Sequence, residues 1–201
     1  FMLGSQIPEP SGYVAIVGAR DATPYGLNMA FRLAYEFSAR GMGVVSGMAK
    51  GIDAAAHEGS LKAKRMGFGK GTVAVLGCGV DICYPMENRL LYEEIIKEGW
   101  VLSPFLPGEG PKKANFPQRN RIISGMADLV VVASAKIKSG AMITADQALE
   151  QGRDVYAVPG RVDDPLSAGC NMLIKQGAGI ITDPYLFVDE YISEHFPSSG
   201  K

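Results

Sequence analysis

Short runs of apolar, mostly β-branched residues alternate along the chain with longer stretches in which apolar positions recur every three or four residues, and glycines mark most of the changes. The first pattern predicts strands and the second amphipathic helices. "YVAIVG" (13–18) reads as a strand and "PYGLNMAFRLAYEFSARG" (24–41) as a helix closing at Gly41. "GVVSG" (43–47), a helix over 52–65, "GTVAVLG" (71–77) and a helix over 88–98 follow. The second half repeats the alternation: "WVLS" (100–103), a helix near 118–126, "DLVVVA" (128–133), a helix near 143–151, "DVYAVPG" (154–160), a helix near 168–176, "AGIITD" (178–183) and a last acidic helix. Strands without polar alternation are buried on both faces, as in a parallel sheet covered by helices. The expected fold is therefore α/β: a doubly wound, mostly parallel sheet with helices on both faces, of extended Rossmann-like type.

Residues 13–195 are expected to form one domain, with 1–12 a flexible lead-in and 196–201 a tail. The longest stretch without a clear element is 104–117, "PFLPGEGPKKANFP", a length typical of functional or mobile loops.

Composition narrows the function classes. With 201 residues, 47% hydrophobic and 20% charged, the chain can build a sizeable core. Its net charge of −1 means that any polyanion has to be held by a local patch. Three cysteines, Cys78, Cys83 and Cys170, and two histidines, His57 and His195, show no zinc-site spacing and fit a reducing cytoplasm. No secretory leader and no membrane span is evident, so no membrane partner is expected. The charge is unevenly distributed. From Gly110 to Lys138 the basic residues Lys112, Lys113, Arg119, Arg121, Lys136 and Lys138 face one acid, Asp128, whereas 81–99 carries five acids against Arg89 and Lys97.

In open parallel sheets, ligands bind beyond the carboxyl ends of the strands. After the first strand, "VGARDATPYG" has Gly18 but no second glycine until Gly26, which argues against a dinucleotide; Arg20 there suits a phosphate or is a plain turn arginine. In "SGMAKGIDAAAH", Ser46, Gly47 and Gly51 make a permissive loop carrying Lys50. Asp53 reads as a helix cap or first-turn acid, and His57 as a packed histidine. Cys78 lacks a neighbouring base and reads as an inert buried thiol. Ser139-Gly140, ahead of a helix, offers free N–H groups to an anion or is ordinary capping. Phe116 among the basic residues of "ANFPQRNRIISG" has the make-up of a single-strand nucleic-acid site, in which cations follow the backbone and a ring stacks a base. Arg119 and Arg121, two apart at a helix start, diverge, so one can reach phosphate while the other ties the loop to the domain.

Six segments, "YVAIVGARDATPYG", "VVSGMAKGIDAAAH", "TVAVLGCGVDICYPMEN", "FPQRNRIISGMADLVVVASA", "KSGAMITADQALEQGRDVYAVPG" and "SAGCNMLIKQGA", resemble in order and spacing the central Rossmann-like domain of the DNA-processing protein A (DprA, or Smf) family, over about 13–183. The resemblance implies a non-catalytic, cytoplasmic protein without a cofactor that binds single-stranded DNA, dimerises and loads the RecA recombinase onto incoming strands in natural transformation. It points to Gly18, Ala19, Arg20, Gly47, Lys50, Phe116, Arg119, Asn120, Arg121, Lys138, Ser139 and Gly140 as DNA-binding residues, and to Leu149, Ile174 and Lys175 on the dimer surface. Three departures stand out. Ser134 occupies a position where many relatives carry glutamate, which is expected to make the rim more positive; "SGAM" replaces "SGSL"; and the basic "KAKRMGFGKG" (62–71) is long enough to form a mobile flap. The alternative function is a nucleotide-binding protein or a nucleoside monophosphate phosphoribohydrolase-like enzyme of the related lysine-decarboxylase-like group. Against it, "KSGAMITADQALE" lacks paired glycines and its Glu150 comes late.

Overall fold

The computed structural model describes residues 1–5 and 9–196. Its strands are β1 (Met2–Gly4), β2 (Tyr13–Gly18), β3 (Gly43–Ser46), β4 (Thr72–Val75), β5 (Trp100–Leu102), β6 (Leu129–Ser134), β7 (Asp154–Ala157) and β8 (Gly179–Ile180). Its helices are α1 (Pro24–Ala39), α2 (Ile52–Arg65), α3 (Arg89–Glu98), α4 (Asn115–Met126), α5 (Gly140–Glu150), α6 (Ala168–Lys175) and α7 (Pro184–His195). One eight-stranded sheet runs β1-β5-β4-β3-β2-β6-β7-β8. All its pairs are parallel except β1 with β5.

The apolar runs of the central strands serve two cores at once. Val14 and Ile16 of β2, with Leu129 and Val131 of β6, pack under α1, α2 and α7 around Leu33 and Phe37. Ala15, Val17, Val130 and Val132 pack on the other face around Ile123 of α4, Ala145 and Ala148 of α5 and Leu173 of α6. Each fully buried Leu or Phe contributes roughly 1.5–3 kcal/mol, so neither face can be left to solvent. A third cluster, with Met48, Leu61, Leu76 and Ile95, seats α3 against β4.

Helix starts follow local chemistry. Thr23 Oγ1 accepts the Gly26 N–H at 3.2 Å ahead of Pro24, and Asp183 Oδ1 accepts the Leu186 N–H at 2.9 Å ahead of Pro184.

Three expectations change. The lead-in is partly sheet: Met2–Gly4 pairs antiparallel with β5, and the Trp100 indole N–H donates to Ser5 O at 2.6 Å. α4 begins at Asn115, so Pro117 sits inside its first turn, where its missing N–H is harmless. Residues 62–65 complete α2, and the N–H groups of Gly67, Phe68 and Gly69 return to Lys64 O and Ala63 O, so 62–69 is a helix end and its turn rather than a separate flap. Ser134 is buried and donates to Leu166 O at 3.1 Å, facing the 159–167 loop. The expected tail lies outside the described residues except for Phe196.

Candidate nucleic-acid interface

Chain order reverses between β2 and β6, the strands at the middle of the sheet, and a crevice opens beyond their carboxyl ends. Three loops form it. The loop after β2 carries Ala19 and Arg20; Ala19 N–H donates to Ser134 O at 2.8 Å, and Ala19 O accepts the Ile52 N–H at 3.1 Å. That contact draws the start of α2 against the loop, and only glycine allows it. A Cβ on Gly51, whose φ is +76°, would lie 2.3 Å from Ala19 O and 2.4 Å from Arg20 O. In the same β3–α2 loop, buried Met48 takes φ +64°, a conformation sparsely used by non-glycine residues, and its carbonyl is held by Asn88 Nδ2 at 2.9 Å. Beyond β6, α5 opens at Ser139-Gly140 with first-turn N–H groups that no side chain caps, and Ser139 Oγ is buried without a protein partner among the described residues.

Phe116, from the first turn of α4, divides the crevice. The first cavity, about 270 Å³, is walled by Gly18, Ala19 and Arg20 on one side and Asn120, Ser139 and Gly140 on the other. The second, about 520 Å³, is lined by Gly47, Lys50, Tyr84 and Met86. Arg20, Phe116 and Arg119 border both. The Phe116 ring packs so close over Gly77 that a Cβ there would come within 2.9 Å of it. The guanidinium carbons of Arg20 and Arg119 each lie 5.8 Å from its centroid, and the Tyr84 ring lies at 6.0 Å.

The two arginines of "QRNR" part company. Arg119 is 5% exposed; its Nη1 donates to Val75 O at 2.8 Å and its Nε has no protein partner among the described residues. Burial pushes its pKa down, an effect opposed by Asp53. Arg121 instead lies exposed on the far side of α4, 3.2 Å from Glu150 on α5, and lines neither cavity. The same contact keeps Glu150 outside the crevice, away from any role as a cavity acid. Lys50 pairs with Glu87, and Lys112 with Glu109 at 3.1 Å, so part of the basic stretch is neutralised locally. Lys138 lines a shallow neighbouring hollow with Ser139 and Gly140.

Ten of the twelve expected DNA-binding residues thus border the two cavities, Lys138 sits beside them, and Arg121 stands apart. Asp53, read from sequence as a cap or first-turn acid, belongs to the floor of the first cavity, and Tyr84 to the wall of the second. Asp53 closely follows β3 and Tyr84 lies in the β4–α3 connection, places that do not by themselves mark a site. Of the expected dimer residues, Leu149 is exposed beside Leu173 and Gln176 in a hollow of about 440 Å³, with half-buried Ile174 and exposed Lys175 on the adjoining helix.

Neither reactive side chain near the crevice is set up for nucleophilic or acid–base work. Burial pushes the Cys78 thiol to about 11. His57 is fully buried, with Nδ1 2.7 Å from Thr72 Oγ1, and burial together with Arg119 lowers its pKa to about 3. Because the folded value lies below the unfolded one near 6.5, the stability contributed by neutral His57 is full above about pH 6.5 and is lost as pH falls. Urea unfolding at pH 7 and pH 5 should show this loss at up to about 1.4 kcal/mol per pH unit, and His57→Gln should flatten it.

Residues 1–191 match the family described as DNA recombination-mediator protein A. The chain belongs to this family. It is 44% identical over 169 residues to the DNA processing protein DprA of Streptococcus pneumoniae, covering 84% of this chain and 58% of that one. It is 45% identical over 168 residues to the DprA of Bacillus subtilis, covering 84% and 55%. The chain therefore spans little more than half the length of these relatives. Among solved structures, the X-ray structure of the S. pneumoniae DprA superposes with a TM-score of 0.81 at 40% identity, over 92% of this chain and 62% of that one. A Helicobacter pylori DprA, solved to show its single-stranded DNA binding mode, superposes with a TM-score of 0.86 at 30% identity, over 96% and 86%. A molybdenum cofactor binding protein from Rippkaea orientalis shares the fold alone, at 20% identity and a TM-score of 0.62. No helix among the described residues is long and apolar enough to cross a membrane.

Proposed function

We propose that the chain binds single-stranded DNA in the crevice beyond β2 and β6, with phosphates on Arg20 and the opening of α5 and a base against Phe116, and that it does so without catalysis. One observation carries this reading: a forked, exposed cation, an uncapped helix start and a half-buried ring flanked by two guanidiniums converge at the switch point of the sheet. The single-stranded DNA binding of the H. pylori relative supports it. The unactivated Cys78 and His57 fit a binding role.

Homodimerisation through the face bearing Leu149, Ile174 and Lys175, transfer of the strand to a RecA recombinase, action in natural transformation and a cytoplasmic location complete the proposal. It rests on family membership and on the exposure of that face.

Phosphate-dominated binding releases counterions, so affinity should fall steeply with salt and show little sequence preference. A mobility-shift series with single- and double-stranded oligonucleotides, from low to moderate salt, checks this; equal affinity for both, or no binding, sinks the reading. Arg20→Ala should weaken single-strand binding by about 1–3 kcal/mol, the range for a charge-assisted hydrogen bond, and leave the melting temperature in place because the side chain is exposed.

A further inference from the structure

Beneath the first cavity the fold buries a carboxylate beside a guanidinium without completing an ion pair. Asp53, in the first turn of α2, is 6% exposed, and Arg119, on α4, is 5% exposed; both border that cavity. They approach the same point: a Cβ on Gly47 would lie 1.8 Å from Arg119 Nη1 and 2.7 Å from Asp53 Oδ2. Among the described residues no salt-bridge contact joins them. Asp53 Oδ2 accepts the Ala49 N–H at 3.3 Å, while Arg119 spends Nη1 on Val75 O and its buried Nε has no protein partner among the described residues. A buried guanidinium is costly without a compensating anion, and among the described residues Asp53 is the one carboxylate bordering this cavity.

The other groups around Asp53 are few. Ser46 of β3 and the backbone of Gly47 lie beside it, with the Ser46 hydroxyl donating to Ile16 O at 2.6 Å; Arg20 borders the same cavity, and His57 lies one turn along α2. His57 is neutral above about pH 3, and the Cys78 thiol beside Arg119 is neutral below about 11, so neither changes charge between pH 5 and 8. A phosphate entering this cavity places a second anion against Arg119. Two anions sharing one buried cation raise each other's proton affinity.

We propose that Asp53 is the resident counter-ion of Arg119 before DNA binds and that seating a backbone phosphate in the cavity is accompanied by uptake of one proton from solvent onto the Asp53 carboxyl. This rests on the single-stranded DNA reading above. The sign follows from linkage: the bound state holds the proton more tightly than the free state, so affinity falls as pH rises between the two values, at most tenfold per pH unit for one proton. Asp53→Asn mimics the protonated carboxyl, so its affinity should equal the low-pH limit of the unaltered protein and stay flat.

Isothermal titration with a thymidine homo-oligonucleotide, which does not titrate between pH 5 and 8, tests this. At each of three pH values across that range, paired buffers of different ionisation enthalpy report the protons taken up. The unaltered protein should show net proton uptake within that range, at most one proton, and Asp53→Asn none, with binding on the order of tenfold tighter than the unaltered protein at pH 7.5. Binding with the same heat in every buffer overturns the proton linkage and leaves the DNA reading standing; absence of binding overturns both. Folded Asp53→Asn that binds more weakly at every pH, or keeps the full pH dependence, overturns the assignment to Asp53. Should that variant fail to fold, the buffer pairs on the unaltered protein still decide.

Discussion

Arg119→Ala should cost about 3–5 kcal/mol of folding stability, read as a lowered urea midpoint with unchanged slope, the range for removing one partner from a buried charged pair. Three losses combine. Val75 O loses its donor at 2.8 Å, Asp53 keeps a buried carboxyl without its nearest cation, and the space below Gly47 and Phe116 empties. Arg121→Ala, two residues along, should change stability by about 0–1 kcal/mol, because its partner Glu150 is exposed and the pair is screened by solvent. Arg119 therefore has to be probed for DNA binding with a variant shown to be folded, whereas Arg121→Ala reads binding directly. Equal destabilisation by the two substitutions would contradict the burial of Arg119.

Gly51→Ala should be comparably damaging, by about 2–5 kcal/mol, combining backbone strain at positive φ with overpacking. The new methyl would meet two backbone carbonyls, Ala19 O and Arg20 O, which no rotamer change can move aside. Relief requires separating the β2 loop from the start of α2, breaking the Ile52 N–H to Ala19 O bond and displacing Arg20 from Phe116. Gly140→Ala is the control: a Cβ there meets nothing within 4 Å, and stability should hold within about 0.5 kcal/mol. Thermal or urea unfolding of the two variants side by side checks the contrast. Gly51→Ala with unaltered stability would show that the two loops are not in contact.

Much of the architecture was legible along the chain because it is written locally. Strands β2 and β6 are apolar without alternation since both their faces are buried, and a double-sided apolar run leaves few other folds open. Helices α1 and α7 are flagged at their starts by Thr23-Pro24 and Asp183-Pro184, whose capping bonds span three residues. The short outer strands were harder. Met2–Gly4 gains its order from partners about a hundred residues away in β5, and three residues carry no period of their own. The start of α4 at Asn115 is hidden in the sequence because a proline in the first helical turn looks like a stop.

The candidate site divides along the same line. Glycines and basic residues after strand ends, a ring beside cations, and the order of six motifs were enough to pick out a rim and ten of the residues that border its cavities. Sequence alone also implied that Arg119 and Arg121 diverge, since residues two apart on a helix do not share a face. Only the tertiary structure decided which of them is buried, because that depends on where α4 lies over β4 and on Gly47 leaving room for a guanidinium. It alone decided that Asp53 floors a cavity with Arg119, residues 66 positions apart brought together by parallel crossovers, and that Ser134 turns toward Leu166. The physical reason is common to all three: helix and strand periods are set by neighbours in the chain, whereas burial, cation pairing and the free N–H groups of a site are set by which loops the sheet order places side by side.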